Sequence, residues 1–461
     1  MKPPFDIAGD LDTPVSAYAK LRSFKPRFLL ESVEGGERLG RYSFIGFGDG
    51  LEVRLDANSL VIGANSYPVP GSKEGLLQRL REALARAPRP MPELPGMPLA
   101  GGLVGFTAYD VVRFFEKLPL RLARRSNAPI LHYVAPQSLL VFDHLTRGIA
   151  LLHSGTETER RLLREEVIAA LRGRIVLPRM NGSFGEATMS LGRDDYMAGV
   201  RTAQEYIAAG DVYQLVLSSK FSGRHQLDPF QVYRALRLIN PSPYMYHVNL
   251  GGVTVVGSSP EALVKLNKGV AELRPIAGTL PRMADPEGDL ANEQRLLADP
   301  KENAEHVMLV DLARNDLGRV AAAGSVHVNP YRAIERYSHV MHIVSGVKGQ
   351  LAADKDAFDL FAATFPAGTL VGAPKVRAMQ LIEELEPVER GLYGGTIGYF
   401  GAQGDMDQAI TIRTLVFEGD QYSYQAGAGI VSDSVPEAEY NEILAKSAAL
   451  RSALSIAQEG L

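Results

Sequence analysis

Four glutamates define the chemistry open to this sequence. Glu302 and Glu305 stand three apart in DPKENAEHVMLVDLARNDLGRV (299–320), and Glu439 and Glu442 stand three apart in SVPEAEYNEILAKSAALRSAL (434–454). That spacing puts both carboxylates of each pair on one helix face. In the first segment the face continues as Leu309 and Leu312, and the run 307–313 is almost wholly apolar. A buried helix is the expectation there, with carboxylates pointing inward, where like charges need a cation. In the second, Lys446 shares the face of Glu439 and Glu442, while Tyr440, Ile443, Leu444 and Ala448 form the other. Carboxylates converging from two helices suit a hard cation. Mg²⁺ fits best, because it takes one or two carboxylates, several waters and an anionic substrate. The alternative is two solvated helix faces laced by i,i+3 and i,i+4 contacts.

Other polar residues sit in apolar settings. His342 lies among Met341, Ile343 and Val344 in YSHVMHIVSGV (337–347), which reads as a strand. Such an imidazole is either a hydrogen-bonded core residue or a catalytic one. Arg413 interrupts the β-branched run MDQAITIRTLVF (406–417), and a guanidinium within a strand needs a carboxylate from the protein or from a ligand. Glu261 occupies a turn in GSSPEALVKL (257–266). RPIAGTLPR (274–282) sets a Gly278–Thr279 turn, suited to an anion, beside Ala277, where no cationic side chain is offered. QAGAGIVSD (425–433) has glycines but neither the helix nor the acid that a dinucleotide loop requires, and no Gly-Lys-Ser/Thr follows for a phosphate loop. Its glycines instead let backbone N–H groups approach an anion.

The elements that must hold these residues are legible in outline. Asp299, Pro300 and Glu302 have the pattern of a capping box, and Ser434 with Glu437 repeats it. Residues 11–24 read as a short helix, FLLES (28–32) and RYSFIGF (41–47) as strands joined by a turn at GGER (35–38), and 72–87 as a helix opened by Ser72. GGLVGFTAYDVVRFFEKLP (101–119) is Gly-rich and then amphipathic; a strand pair near 131–153 and a charged helix near 157–172 follow. Periodicity vanishes over 172–190, which places a boundary between an N-terminal domain, 1–185, and a second domain, 186–461. Beyond it, 194–211 reads as a helix closed by Gly210, and 212–221 as a strand. Helices and strands then alternate without a βαβ rhythm, so the fold class is α+β with large, mostly antiparallel sheets.

Composition excludes several function classes. A chain of 461 residues with net charge −4 has no basic field for nucleic acid or anionic lipid. No apolar run is long enough to span a bilayer, and MKPPFDIAGD lacks the apolar stretch of a signal peptide, so a cytoplasmic address is expected. Cysteine is absent, so the chain has no disulfide, thiolate metal site or cysteine nucleophile.

Taken together, FLLESVEGGERLGRYSFIG, PIAGT, HVMLVDLARNDLGRV, GAPKVRAMQLIEEL, YGGTIGYF and QAGAGIVSDS resemble the chorismate-utilising enzymes, most of all the large subunits of their anthranilate-forming branch. The resemblance runs from about residue 12 to 455. It implies a β-sandwich with helices on the outside, an N-terminal part carrying a regulatory segment and a chorismate-binding catalytic domain after it. It implies Mg²⁺ at Glu302, Glu305, Glu439 and Glu442, with Glu305 and Glu442 as direct ligands. Substrate carboxylates are then held by Gly278, Thr279, Tyr393, Arg413, Gly429 and Lys446, acid–base work falls to Glu261 and His342, and Thr279 counts with these two as a catalytic residue. Relatives that attack chorismate with their own lysine carry it where this chain has Ala277, and those that activate water use a lysine where this chain has Gln214. A neutral amide is no base. Both departures imply ammonia as nucleophile, attacking C2 of chorismate, with anthranilate and pyruvate as products. With no cysteine, the chain would depend on a glutamine amidotransferase subunit for that ammonia. The resemblance also implies feedback inhibition by tryptophan, held by Glu31 or Ser32 at its amino group and by Pro243, Tyr244 and Met245 as a pocket wall. The rival expectations are an aminodeoxychorismate or aminodeoxyisochorismate synthase and a non-catalytic tryptophan sensor.

Overall fold

The computed structural model describes residues 4–33, 40–94, 96–119, 128–175, 182–283, 285–336 and 340–461. The turn expected at 35–38, and residues 337–339 of the His342 segment, lie outside the described residues.

Alternation of side chains along the strands determines the architecture. In Phe28–Glu31 and Tyr42–Phe47, Phe28 and Phe44 point to one face, Leu29 and Ile45 to the other, and all four are buried. A strand buried on both faces needs a layer on each. Phe28 and Phe44 join Val104, Phe106, Val134, Ile397 and Tyr399 in a core between two large sheets. Leu29 and Ile45 join Ala17, Tyr18, Val167 and Leu171, which come from helices laid over the outside. The result is the α+β sandwich expected, and every pairing among the described strands of the two sheets is antiparallel.

Both sheets draw strands from either side of residue 185. The 12-stranded sheet runs from Ile7–Ala8 through Gly148–His153, Ser138–Asp143, Tyr42–Phe47 and Phe28–Glu31 to Tyr244–Asn249. It continues through Val253–Ser259, Thr414–Glu418, Gln421–Ile430 and Gln214–Arg224 to Thr188–Met189. In the 11-stranded sheet the junction is Thr396–Gly401 against Gly102–Thr107. A third, 3-stranded sheet is formed by Ile276–Pro281, Val340–Val344 and Ala333–Arg336.

Several local expectations need correction. The segment 131–153 holds three strands, Leu131–Ala135, Ser138–Asp143 and Gly148–His153. Asp299 does cap the helix Pro300–Gly318, accepting from Lys301 N at 2.9 Å and Glu302 N at 3.1 Å. That helix is buried on one face only, through His306, Leu309, Val310, Ala313, Asp316 and Leu317, whereas Val307 is 42% exposed. Ser434 is not the cap of the last helix, which begins at Pro436 with Val435 before it. Pro436 at the first helical position fixes the start, and Ser434 Oγ turns back to accept from Val431 N at 3.0 Å. Arg413 lies outside any strand, in a left-handed conformation with φ 50° between Met406–Ile410 and Thr414–Glu418.

One buried ion pair ties the layers together. Arg390 Nε and Nη2 donate to Glu386 at 2.9 and 2.7 Å, and its remaining donors reach Leu370 O at 2.6 Å and Val216 O at 2.9 Å. Glu386 also accepts from the backbone and hydroxyl of Ser218 at 2.9 and 2.6 Å. Each guanidinium nitrogen and both carboxylate oxygens are therefore hydrogen-bonded, which is the condition under which a buried pair is tolerated. Arg390→Met leaves Glu386 charged and unpaired. A loss of about 3–5 kcal/mol in unfolding free energy is expected, measured by denaturant titration.

Candidate active site

The site forms where chain passes from one large sheet to the other. Val253–Ser259 belongs to the 12-stranded sheet and Ala262–Asn267 to the 11-stranded one, so Glu261 stands at the changeover. Met406–Ile410 and Thr414–Glu418 make the reverse change, with Arg413 at the bend. The two corners are sewn together: Ile410 N donates to Glu261 O at 3.0 Å, and Ser258 N donates to Arg413 O at 3.1 Å. Corner residues escape the in–out alternation of a strand, which frees both side chains for a cleft. Burial pushes the Glu261 carboxyl up to about 7, against the opposing effects of Thr369, Lys446 and Arg413. Thr369 Oγ1 donates to Glu261 Oε1 at 3.1 Å. A carboxylic acid that keeps its proton near neutrality is the property a general acid needs.

The small sheet supplies the second group. Ala277 pairs with Ile343 and Leu280 with Met341, so Gly278 and Thr279 bulge opposite His342. His342 Nδ1 lies 2.8 Å from Gly278 O and 3.1 Å from Thr279 Oγ1. A carbonyl only accepts, so Nδ1 carries the proton and, in the neutral ring, Nε2 is the basic nitrogen. Gly278 has φ 66°, and a Cβ there would meet Leu296 Cδ1 at 2.7 Å and Glu302 Oε2 at 3.0 Å. The bulge thus admits the Glu302 carboxylate.

The glutamates stand as one pair on each of two helices. Lys301 Nζ lies 3.8 Å from Asp433, linking the entrance of the first helix to the loop before the second. Burial and then the Glu305 charge raise the Glu302 carboxyl; burial raises that of Glu439, with the Glu442 charge adding and the Ser434 hydroxyl opposing. Lys446 Nζ pairs with Glu442 at 2.7 Å and donates to Gly427 O at 3.0 Å. Among the described residues no three His, Asp or Glu side chains close on one point as a ready-made metal cage. Pairs of mutually repelling carboxylates fit a cation that keeps its waters and shares its sphere with an anion, which is Mg²⁺ chemistry. The ring of Tyr393 packs 5.5 Å from the Arg390 guanidinium, and its hydroxyl would lie 2.6 Å from a Cβ on Gly427. Gly429 pairs with Val216, and a Cβ on it would meet Gln214 Nε2 at 2.6 Å.

Among the expected site residues, Glu261, Arg413 and Lys446 lie within electrostatic reach of one another, and His342, Gly278, Thr279 and Glu302 form a second contact group. Sequence reasoning missed Thr369, which orients Glu261, and the Glu386–Arg390 pair behind Tyr393. The Gly-Thr of FPAGTLVGAPK, repeating that of PIAGT, was the available signal for the first. The i,i+4 spacing of Glu386 and Arg390 was the signal for the second.

A separate cavity of about 600 Å³ is lined by Glu31, Ser32, Pro243, Tyr244 and Met245, the residues expected to hold an inhibitor. The Glu31 carboxylate is already engaged by Arg237 at 3.1 and 3.2 Å and by the Tyr233 hydroxyl. Ser32 Oγ is buried and has no hydrogen-bond partner among the described residues.

The chorismate binding enzyme family matches residues 25–452. The chain belongs to that family. Among its curated relatives, anthranilate synthase component 1 of Thermus thermophilus is 45% identical over 98% of this chain and 97% of its own length. The same component of Acinetobacter calcoaceticus is 42% identical over 98% and 94%. The crystal structure of anthranilate synthase component I from Streptococcus pneumoniae covers 96% of this chain and 99% of its own, with 33% identity and a TM-score of 0.80. The menaquinone-specific isochorismate synthase of Escherichia coli, at 20% identity and TM-score 0.69 over 96% and 91%, shares the fold. As in other members of this chorismate-binding family, the described chain is α+β, and none of its described helices is long and apolar enough to cross a membrane.

Two substitutions probe the geometry. The folded Glu261 carboxyl titrates near 7 against 4.5 for an unperturbed glutamate, so wild-type stability falls as pH rises between those values. Glu261→Gln lacks that loss. It is expected to be more stable above pH 7 by about 2 kcal/mol, discounted for water at the site, with the gap closing below about pH 4.5 in thermal melts. Gly278→Ala strains a left-handed residue and crowds Glu302, with an expected cost of about 1–3 kcal/mol in the same assay.

Proposed function

We propose that this chain is the chorismate-aminating component of an anthranilate synthase, turning chorismate and ammonia into anthranilate and pyruvate. The observation that carries the reading is Glu261, a carboxylic acid protonated near neutrality at the cleft where Arg413 and Lys446 act on it. The curated relatives bear the name anthranilate synthase component 1.

The residues divide the work as follows. Arg413, Tyr393, Lys446 and the backbone at Gly278, Thr279 and Gly429 hold the two substrate carboxylates. Glu302, Glu305, Glu439 and Glu442 are the residues that would hold Mg²⁺, Glu305 and Glu442 as the ligands expected from the family resemblance. When bound, the cation neutralises a ring carboxylate and draws electron density from the ring. Glu261 gives its proton to the C4 oxygen, which leaves as water while ammonia bonds to C2. His342, oriented through Nδ1 by Gly278 O, removes the C2 proton at Nε2, and the enolpyruvyl group departs as pyruvate as the ring becomes aromatic. Ala277 presents no internal nucleophile and leaves room for ammonia, and Gln214 is no base for water.

The word component in the relatives' names implies a partner, and the absence of cysteine points to a separate glutamine amidotransferase subunit as the ammonia source. Tryptophan is the inhibitor proposed for the 600 Å³ cavity, with Ser32 rather than the already paired Glu31 receiving its amino group. The proposed address is the cytoplasm.

Incubation with chorismate, Mg²⁺ and ammonium is expected to yield anthranilate and pyruvate in equal amounts. Aminodeoxychorismate or aminodeoxyisochorismate as the final product refutes the reading. His342→Gln is expected to form anthranilate about 10²-fold more slowly while an amino intermediate accumulates, detected by chromatography. Ser32→Ala is expected to weaken inhibition by tryptophan about tenfold at unchanged kcat, the value of one hydrogen bond to a charged group. Inhibition equal to wild type excludes Ser32.

A further inference from the structure

A second, small cavity of about 50 Å³ adjoins Glu261. Of all the residues given roles above in substrate, metal or proton chemistry, Glu261 alone lines it. Its other polar walls are Thr364, Thr369, Arg274 and Asp316. The space exceeds the roughly 10–15 Å³ that one water occupies, and these groups supply a water with partners. Asp316 is buried, and its Oδ2 accepts from Lys375 Nζ at 2.8 Å. Lys375 Nζ also donates to Thr364 O at 3.3 Å, and its side chain retains 14% exposure. Burial holds the Asp316 carboxyl above its ordinary range, with Lys375 opposing. A buried pair of this kind adds little stability over well-packed apolar residues, so stability does not account for it.

We propose that the cavity is the proton route of Glu261, with Asp316 and Lys375 as its outer station. The proposal rests on the reading of Glu261 as the acid. In each turnover the Glu261 proton passes to the C4 oxygen as the C4–O bond breaks and water leaves. The carboxylate left behind takes a proton through water in the cavity from the Asp316–Lys375 pair, which is refilled from solvent. The ammonium group formed on C2 releases one proton to solvent, so none is consumed overall. Thr369 and Asp316 are positioning residues in this scheme, because neither touches the substrate.

Ala313 lines the cavity without titrating, so Ala313→Leu fills the route and leaves every ionisable group in place. Asp316→Asn removes the outer station. Both are assayed as the full chain with chorismate, Mg²⁺ and ammonium, in H₂O and in D₂O, across neutral pH. A kcat about tenfold lower is expected, a fraction of what general acid catalysis contributes. It should come with unchanged KM for chorismate and ammonium, a larger solvent isotope effect, and partial rescue by a small buffer acid such as imidazolium. An unchanged kcat in Ala313→Leu overturns the proposal. So does a slower rate without a change in isotope effect, which marks a packing defect, and so does a raised KM for ammonium, which makes the cavity an ammonia path. If Asp316→Asn does not fold, Ala313→Leu decides alone. Glu261→Gln is the control: wild-type activity in that variant removes the acid reading itself, whatever the cavity does.

Discussion

Two sheets stacked face to face must exchange chain somewhere, and at each exchange the backbone has to abandon one hydrogen-bond ladder and enter another within two or three residues. Glu261 and Arg413 occupy two such exchanges, side by side, running in opposite directions. Each corner donates a backbone N–H to the other, Ile410 to Glu261 and Ser258 to Arg413, so neither can shift alone. The orphaned backbone groups of one changeover are satisfied by the other, as buried main chain requires. An acid and a cation are thereby fixed near each other without either belonging to a regular element. The helices carrying the glutamates, the small sheet carrying His342 and the Tyr393 loop are arranged around this fixed pair.

The site departs from stability in several places at once. Burial raises the Glu261 carboxyl to about 7, Arg413 and Gly278 adopt left-handed backbone, and pairs of glutamates stand close enough to repel. Each departure disfavours the folded state by an amount comparable with a lost hydrogen bond. They are offset by a large apolar interior, while the hydrogen-bonded Glu386–Arg390 pair, whose guanidinium packs against Tyr393, fixes the surroundings. Strained or charged groups gathered in one cleft and supported by rigid surroundings are the usual signature of function.

Much of this was legible in the residues, and the failures have physical causes. The glutamate pairs at spacing three, the Asp299 cap and the α+β class could be read directly, because helix periodicity and capping are local rules. Arg413 was read as part of a strand because its neighbours are β-branched; its left-handed turn is imposed by the change of sheet, a tertiary demand that no local pattern records. Ser434 looked like a helix cap, but Pro436 sets the first turn and the hydroxyl serves the loop. Thr369, Asp316 and the Glu386–Arg390 pair matter through partners distant in sequence, and one chain without relatives carries no mark of such pairings. The family resemblance supplied roles for residues such as Tyr393 and Gly429, whose own types are too common to single them out.

The interleaving of the sheets has a consequence for biosynthesis. When the ribosome has delivered only the first 185 residues, Phe28–Glu31 and Gly102–Thr107 are each bare on one side, since their neighbours Tyr244–Asn249 and Thr396–Gly401 have yet to be made. At elongation rates of about 5–20 residues per second, the second of these gaps stays open for more than ten seconds. Unpaired strand edges of that kind invite intermolecular pairing. The nascent chain is therefore at greatest risk of aggregation before its last two hundred residues emerge, and holding it in that interval is work for a chaperone.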